Sequence, residues 1–165
     1  DELRCETQVI LLDADILYDN RILERLIKSQ HRNSMLLDRN FEPGDEPVKI
    51  CVRDNEIVEF RKWLSTSFDF LGESVGMFKL SHDMACQIIA QTELYLNQGR
   101  RNEAYEEIIR DVILTSPRGI FAYEDITGLP WIEIDFQADV MQAKLNILPR
   151  ILNEKKQLQG LSEPT

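Results

Sequence analysis

Residues 8–15 read Gln-Val-Ile-Leu-Leu-Asp-Ala-Asp, and this stretch decides the fold that the chain predicts. The continuous apolar run over residues 8–14 is typical of a strand buried on both faces, as in a parallel sheet. Asp19 and Asn20 then offer a helix cap. The residues that follow at helical spacing are Ile22, Leu23, Leu26 and Ile27. A strand followed by a helix within about 30 residues indicates an α/β unit.

The remaining pattern extends this unit into a mixed sheet. Further strands are predicted over residues 34–38, 47–53, 56–62, 74–80, 120–124 and 131–135. Alternating apolar residues on both sides of Asp54-Asn55 predict a β-hairpin. Helices are predicted over residues 82–98, with Ser81 as cap and Gly99 at the end, over 103–114 and over 137–152. We therefore expect an α/β fold in one domain over residues 1–153, followed by a polar tail over 154–165.

Composition narrows the class of protein. A chain of 165 residues fits one domain, and its net charge of −10 argues against binding nucleic acid, which requires surplus Lys and Arg. The three cysteines, Cys5, Cys51 and Cys86, form no CxxC pair, so neither a zinc site nor a disulfide is indicated. Cys86 is predicted to pack against neighbouring residues and not to be reactive. His31 and His82 have no partner pattern. No signal peptide or membrane span is evident, and reduced thiols favour the cytoplasm.

Two acidic clusters lie at predicted strand ends. Asp13 and Asp15 follow the first strand, and they share one side if that strand continues through them. Trp131, Glu133 and Asp135 share one face of the last strand by the same alternation. Alone, the first cluster is explained equally well by a helix cap or a turn, and the second is explained better by Asp135 as a helix cap with Glu133 solvated. Together they predict one Mg²⁺ site, because Mg²⁺ is commonly held by one or two carboxylates and substrate phosphates.

The same segments resemble a known family. VILLDADILYD (residues 9–19) and GLPWIEIDFQADVMQAKLNILPRI (residues 128–151) are similar to the metal-binding segments of the sugar-nucleotide pyrophosphorylase-like nucleotidyltransferases. The resemblance covers roughly residues 8–152 and implies a Rossmann-like, GT-A-like fold with a mixed sheet flanked by helices. It implies that Asp15 and Asp135 bind Mg²⁺ as the catalytic carboxylates, with Glu133 beside them.

Within that family the chain looks most like the cytidylyltransferases that act on small phospho-alcohols. The resemblance implies transfer of CMP from CTP to a phospho-alcohol, phosphonate or sugar phosphate, with release of pyrophosphate. Tyr105 and Glu106 are expected to bind a cationic head group through a ring face and a carboxylate, although a solvated helix residue explains Glu106 as well. Trp131 and Glu133 are further substrate-binding candidates.

Two residues of the predicted strand 74–80 region complete the candidate site. Glu73 is expected to bind a hydroxyl or amine of the acceptor. Gly76, inside a strand, indicates close approach of a ligand or of backbone, and the alternative is a bulge.

One departure from the family is clear. The family's Gly-rich loop with its Arg and Lys, which cradles the nucleotide triphosphate, does not occur in these residues. We therefore expect an N-terminally truncated domain that does not turn over alone. A GT-A type nucleotide-sugar glycosyltransferase and a non-catalytic ligand-binding module remain alternatives. The sequence leaves the nucleotide base, the acceptor and a homodimer undetermined.

Overall fold

The computed structural model describes residues 7–41, 47–64 and 66–153. Eight strands form two sheets in this part of the chain, and they are β1 (Val9–Leu12), β2 (Ile16–Tyr18), β3 (Ser34–Asp38), β4 (Lys49–Arg53), β5 (Glu56–Arg61), β6 (Phe70–Leu80), β7 (Ala122–Asp125) and β8 (Trp131–Glu133). The larger sheet has the order β5-β4-β6-β3-β7, and β1 also pairs with β6. β6 is antiparallel to β1, β3 and β4, whereas β3 and β7 are parallel. β2 and β8 form a separate antiparallel pair.

Four helices accompany the sheets, and they are α1 (Asn20–Lys28), α2 (His82–Asn97), α3 (Tyr105–Thr115) and α4 (Gln137–Gln142). α4 continues into a π-helical turn, Ala143–Ile147, and then into helical backbone over residues 148–153. The regular pattern is interrupted here because Pro149 lacks the N–H that an α-helix would donate. Within the three described ranges, no helix is long and apolar enough to cross a membrane.

The core lies on both faces of the larger sheet. On one face Met35 and Leu37 pack with Phe78 and with residues of α2 and α3. On the other face Leu36 and Met77 pack with residues of α1. All five residues of β3 are buried, because the strand lies between β6 and β7 and carries apolar residues on each face. The predicted α/β architecture, a mixed sheet flanked by helices, is confirmed.

The first strand differs from its prediction in direction and length. β1 is antiparallel to β6, so the expectation of a parallel-type strand is wrong. Its apolar run is explained by packing on both sides, since Leu11 packs against one core cluster and Leu12 against the other. The strand ends at Leu12, where the Asp13 N–H donates to the Gly76 carbonyl. All four residues of β1 are only half-buried.

Local signals were the most accurate predictors of element ends. The Asp19 side chain accepts the N–H of Arg21 at the start of α1, and Ser81 accepts the N–H of Met84 at the start of α2. Asp54 and Asn55 have φ values of 53° and 62°, as a two-residue hairpin turn of type I′ requires. Gly99 follows the end of α2 with φ of 77°.

Other expectations need correction. β2 was not predicted, and β6 begins at Phe70 rather than at residue 74. β8 ends at Glu133, so Asp135 follows the strand instead of lying in it. Cys86 is exposed rather than packed, whereas Cys51 is buried. Cys5 and the predicted polar tail lie outside the described residues.

Candidate active site

The small β2–β8 sheet brings the two acidic segments together. Ile16 pairs with Glu133 across this sheet, and the N–H of Ile134 donates to the carbonyl of Asp15 at 2.9 Å. Asp15 therefore lies next to the end of β8, although 120 residues of sequence separate it from Asp135. The convergence comes from this pair of short strands, not from neighbouring strands of the larger sheet.

Three carboxylates meet at this point. One carboxylate oxygen from each of Asp15, Glu133 and Asp135 lies within 4.8 Å of the other two, and all three residues are exposed. Oxygens on opposite sides of a Mg²⁺ ion are about 4.2 Å apart, given Mg–O distances of about 2.0–2.1 Å. Small side-chain rotations would bring these oxygens onto a hard divalent cation. The donor set therefore fits Mg²⁺.

The alternative assignment of the two aspartates as helix caps does not match the contacts. The Asp139 carboxylate accepts the N–H groups of Phe136 at 2.7 Å and of Asp135 at 3.1 Å at the start of α4. At α1 the N-cap residue is Asp19, whose side chain accepts the N–H of Arg21. Among the residues that the structure describes, the side chains of Asp15 and Asp135 accept no hydrogen bond. Both carboxylates are thus available to a ligand.

Asp13 does not share a side with Asp15 as the alternation predicted, because β1 ends before it. The Tyr105 hydroxyl instead donates to the Asp13 carboxylate, with distances of 2.7 and 2.8 Å to its two oxygens. Burial raises the pKa of Asp13, the Tyr105 hydrogen bond opposes this, and the nearby Asp15 charge raises it further. Asp13 adds negative potential behind the three exposed carboxylates.

The electrostatics of the cluster favour a cation. Although the Glu133 residue is exposed, partial burial of its carboxylate raises its pKa to about 7, and the charges of Asp135, Asp15, Asp13 and Glu106 add to the increase. Like charges this close disfavour ionisation, whereas an opposite charge favours it. A divalent cation at this point would relieve the repulsion and keep Glu133 ionised.

A cleft of about 670 Å³ opens beside the carboxylates. It is lined by Asp38, Asn40, Phe41, Pro47, Lys62, Glu73, Gly128, Leu129, Trp131, Ile132, Glu133, Asp135, Phe136, Asp139, Ile147 and Arg150. The Trp131 indole N–H donates to Asp38 at 2.8 Å, which fixes the ring on the cleft wall. Burial raises the pKa of Glu73 to about 7, the Glu133 and Asp38 charges add to this, and Lys49 opposes it. Glu73, Trp131 and Glu133 therefore line one cavity, and their role in binding substrate stays a prediction.

Gly76 does not line this cleft. Its φ is 67°, and a Cβ placed there would lie 2.0 Å from an Asp13 carboxylate oxygen. The pairing of β3 with β6 is also irregular around it, between Met35 and Leu37. The close approach that the sequence indicated is made by Asp13, and it coincides with a bulge. A ligand is not needed to explain this glycine.

Tyr105 and Glu106 also lie outside the lining of the cleft. The Tyr105 hydroxyl is bound to Asp13, and its ring packs edge-on against Phe78 with centroids 6.3 Å apart. Burial, with the hydrogen bond to Asp13, raises the pKa of Tyr105. Burial also raises the pKa of Glu106, with a contribution from the Asp13 charge. The pair does not present a ring face and a carboxylate together to the cleft.

Most residues that line the cleft were not predicted from the sequence, and Asp38, Asp139 and Arg150 are the charged ones that matter most for a ligand. Asp38 is 6% exposed and lies at the end of β3, so its position after a buried apolar run was a usable signal. Asp139 and Arg150 come from the last helical segment. Nothing in the sequence pattern shows which face of that segment meets the cleft.

Known proteins share this architecture. The inositol-1-phosphate CTP transferase from T. maritima superposes with a TM-score of 0.61 at 14% identity, covering 88% of this chain and 56% of that one. A Bacillus anthracis protein assigned as a glucose-1-phosphate thymidylyltransferase, in complex with a sucrose, gives 0.60 at 12% identity, covering 86% and 55%. The chain thus spans about half the length of these structures. No family model matches it. At these identities the likeness shows the fold alone.

Proposed function

We propose that this chain carries the metal and acceptor site of a Mg²⁺-dependent nucleotidyltransferase. The reaction is transfer of a nucleotidyl group, CMP from CTP, to a small phospho-alcohol, phosphonate or sugar phosphate, with release of pyrophosphate. The observation that carries the proposal is the convergence of Asp15, Glu133 and Asp135 within 4.8 Å beside a large cleft. The shared fold with nucleotidyltransferases adds support.

The chemistry requires positioning and charge neutralisation more than proton transfer. An acceptor phosphate is already an anion and needs no general base to attack the α-phosphorus. Asp15 and Asp135 would hold Mg²⁺, with Glu133 beside them, and the ion would supply neutralisation of the developing charge. The protein's own part is to hold Glu133 on β8 and to place Asp15 and Asp135 beside it, next to the ends of the β2–β8 pair.

The cleft offers complementary groups for a phosphorylated acceptor. Lys62 and Arg150 line it and supply positive charge for a phosphate. Glu73 and Asp38 lie opposite each other on β6 and β3 and supply acceptors for hydroxyl or amine groups. We place acceptor recognition on these residues and on Trp131.

Calorimetric titration with Mg²⁺ and Mn²⁺ tests the metal site. Losing a charged ligand costs about 1.5–3 kcal/mol, so Asp15→Asn and Asp135→Asn should each weaken binding by roughly 10- to 150-fold. Asp83→Asn, which alters an exposed acid in the first turn of α2, is the matched control and should leave the affinity unchanged. Equal affinities for all three variants and the unaltered chain would exclude the assigned ligands.

Acceptor binding tests the reaction class. Phosphocholine, 2-aminoethylphosphonate and glucose 1-phosphate should be titrated into the chain with Mg²⁺ and then with EDTA. Binding of one of them that requires Mg²⁺ and is lost in Asp135→Asn supports the proposal. Binding of UDP-sugars alone would favour the glycosyltransferase instead. We expect no pyrophosphate release from CTP by this chain alone, because it contains no Gly-rich phosphate loop.

A further inference from the structure

Asp38 is a buried acid whose hydrogen bonds join the two sheets. It lies at the end of β3 and is only 6% exposed. One of its carboxylate oxygens accepts the N–H of Asn40 at 2.8 Å, and the other accepts the indole N–H of Trp131 at 2.8 Å. A carboxylate is costly to bury unless it is hydrogen-bonded. The two bonds therefore fix both oxygens of Asp38, and one of them leads directly to the first residue of β8.

The strand that begins at Trp131 carries one of the three convergent carboxylates. Trp131 pairs with Tyr18 and Glu133 pairs with Ile16 across the β2–β8 pair. Side chains at positions i and i+2 of a strand point to the same side. Trp131 and Glu133 accordingly line the same cleft. Fixing the Trp131 ring therefore also fixes the side on which β8 presents Glu133.

The β2–β8 pair is too short to specify its own register firmly. It contains three residue pairs, and an isolated two-stranded unit is only marginally stable in water. A slip of one residue would turn Glu133 to the opposite face. Ile16, Tyr18 and Trp131 also pack against a core cluster, but apolar contacts are not directional. The bond from Trp131 to Asp38 has a defined geometry, and it selects the register in which Glu133 meets Asp15.

We propose that Asp38 is a positioning residue for the metal site, acting through Trp131 to hold Glu133 beside Asp15 and Asp135. Asp38 is not among the three convergent carboxylates, so it acts on the ion only through this contact. Removal of groups that orient metal ligands typically lowers metal affinity by about 10- to 100-fold. The inference rests on the proposed function for the metal, whereas the positioning itself is a property of the chain without metal.

Hydrogen exchange measured by NMR without metal tests the positioning. The reporter is the N–H of Ile134, which donates to the Asp15 carbonyl and so joins the two acidic segments. Trp131→Phe keeps an aromatic ring but removes the indole N–H, and it should raise the exchange rate of the Ile134 N–H by roughly 10-fold or more. The N–H of Ala122, which is bonded within the larger sheet region, should keep its rate.

Two further variants assign this effect. Trp63→Phe is the matched control, because Trp63 is 63% exposed, and it should leave the Ile134 rate unchanged. Asp38→Ala should raise the Ile134 rate, and adding Trp131→Phe should raise it no further, because both changes remove the same bond. An unchanged Ile134 rate in Trp131→Phe, or equal increases at Ile134 and Ala122, would overturn the positioning.

Mg²⁺ titration then measures the consequence for the site. Trp131→Phe should weaken Mg²⁺ binding by about 10-fold, whereas Trp63→Phe should not change it. Glu133→Gln should weaken binding less in the Trp131→Phe background than in the unaltered chain, because Glu133 is then no longer held at the ion. An unchanged Mg²⁺ affinity in Trp131→Phe would overturn the role of Asp38 alone. Absence of Mg²⁺ binding by the unaltered chain would overturn the proposed function and, with it, the metal role of Asp38.

Discussion

Replacing Gly76 with alanine tests the contact that separates Asp13 from the exposed carboxylates. An alanine with φ near 67° costs about 1–2 kcal/mol because the left-handed region crowds its Cβ. The new Cβ would lie 2.0 Å from Asp13 Oδ2 and 2.8 Å from its Cγ, so the carboxylate must move. Moving it breaks the Tyr105 hydrogen bond, at about 1–3 kcal/mol. The expected loss in the free energy of unfolding is about 2–5 kcal/mol.

Urea unfolding followed by tryptophan fluorescence and circular dichroism measures this loss. Gly99→Ala is the matched control, because Gly99 has φ of 77° and a Cβ there meets nothing within 4 Å. Gly99→Ala should therefore lower the free energy of unfolding only by the cost of placing an alanine at positive φ, about 1–2 kcal/mol. The difference between the two substitutions, about 1–3 kcal/mol, is therefore the cost of displacing Asp13.

A double-mutant cycle isolates that cost. In an Asp13→Ala background the clash with the carboxylate and the Tyr105 hydrogen bond are already absent, and only the 3.2 Å contact with the Cβ of residue 13 remains. Gly76→Ala should then cost little more than Gly99→Ala. If Gly76→Ala costs the same in both backgrounds, the reasoning from the Asp13 contact is refuted. A ligand role for Gly76 would then regain support.

Three further predictions concern stability. Arg110→Met should destabilise the chain by about 3–5 kcal/mol in urea unfolding, because it leaves Glu59, 4% exposed, without its bonds of 2.5 and 2.9 Å. Burial raises the pKa of Glu59, but hydrogen bonds from Arg110 and Phe60 and the charge of Arg110 outweigh it and lower that pKa below 4.5. The stabilisation from Glu59 should thus be complete above pH 4.5 and be lost as the pH falls through the lowered pKa. Urea unfolding at a series of pH values should show this loss of stability at acid pH, and the loss should be smaller in Arg110→Met. Ser81→Ala should cost about 1 kcal/mol in the same assay through loss of the cap on Met84, whereas no loss would contradict the cap.

The parts of the fold that were predictable are those governed by neighbouring residues. Ser81 caps α2 because its hydroxyl accepts an N–H from the residue three positions later. The chain forms a hairpin turn at Asp54-Asn55 because both residue types tolerate positive φ. Such contacts depend on a few consecutive residues. The sequence displays them directly.

The parts that were missed depend on distant residues. Whether Asp13 joins Asp15 depends on where β1 ends, and that is set by the bond to Gly76 and by the hydroxyl of Tyr105, 92 residues away. The amine-binding role expected for Tyr105 stays a prediction, and the hydrogen bond that its hydroxyl donates to Asp13 is likewise a long-range contact that the sequence does not display. Alternation along a strand cannot report contacts of this range.

The ambiguity between ligand and cap has a common solution at both acidic segments. Asp19 lies four residues after Asp15, and Asp139 lies four residues after Asp135. Asp19 accepts the N–H of Arg21 within α1, and Asp139 accepts the N–H groups of Phe136 and Asp135 just before α4. At both places the earlier aspartate is left exposed beside Glu133.

Stability measurements can separate these two roles. Asp19→Ala and Asp139→Ala should each cost about 1 kcal/mol in urea unfolding without metal, because each removes a cap. Asp15→Asn and Asp135→Asn should cost nothing or add stability, since each removes one of several mutually repelling charges. Losses of similar size in all four variants would show that the earlier aspartates also serve the fold. The opposite signs would instead mark Asp15 and Asp135 as residues kept for a ligand.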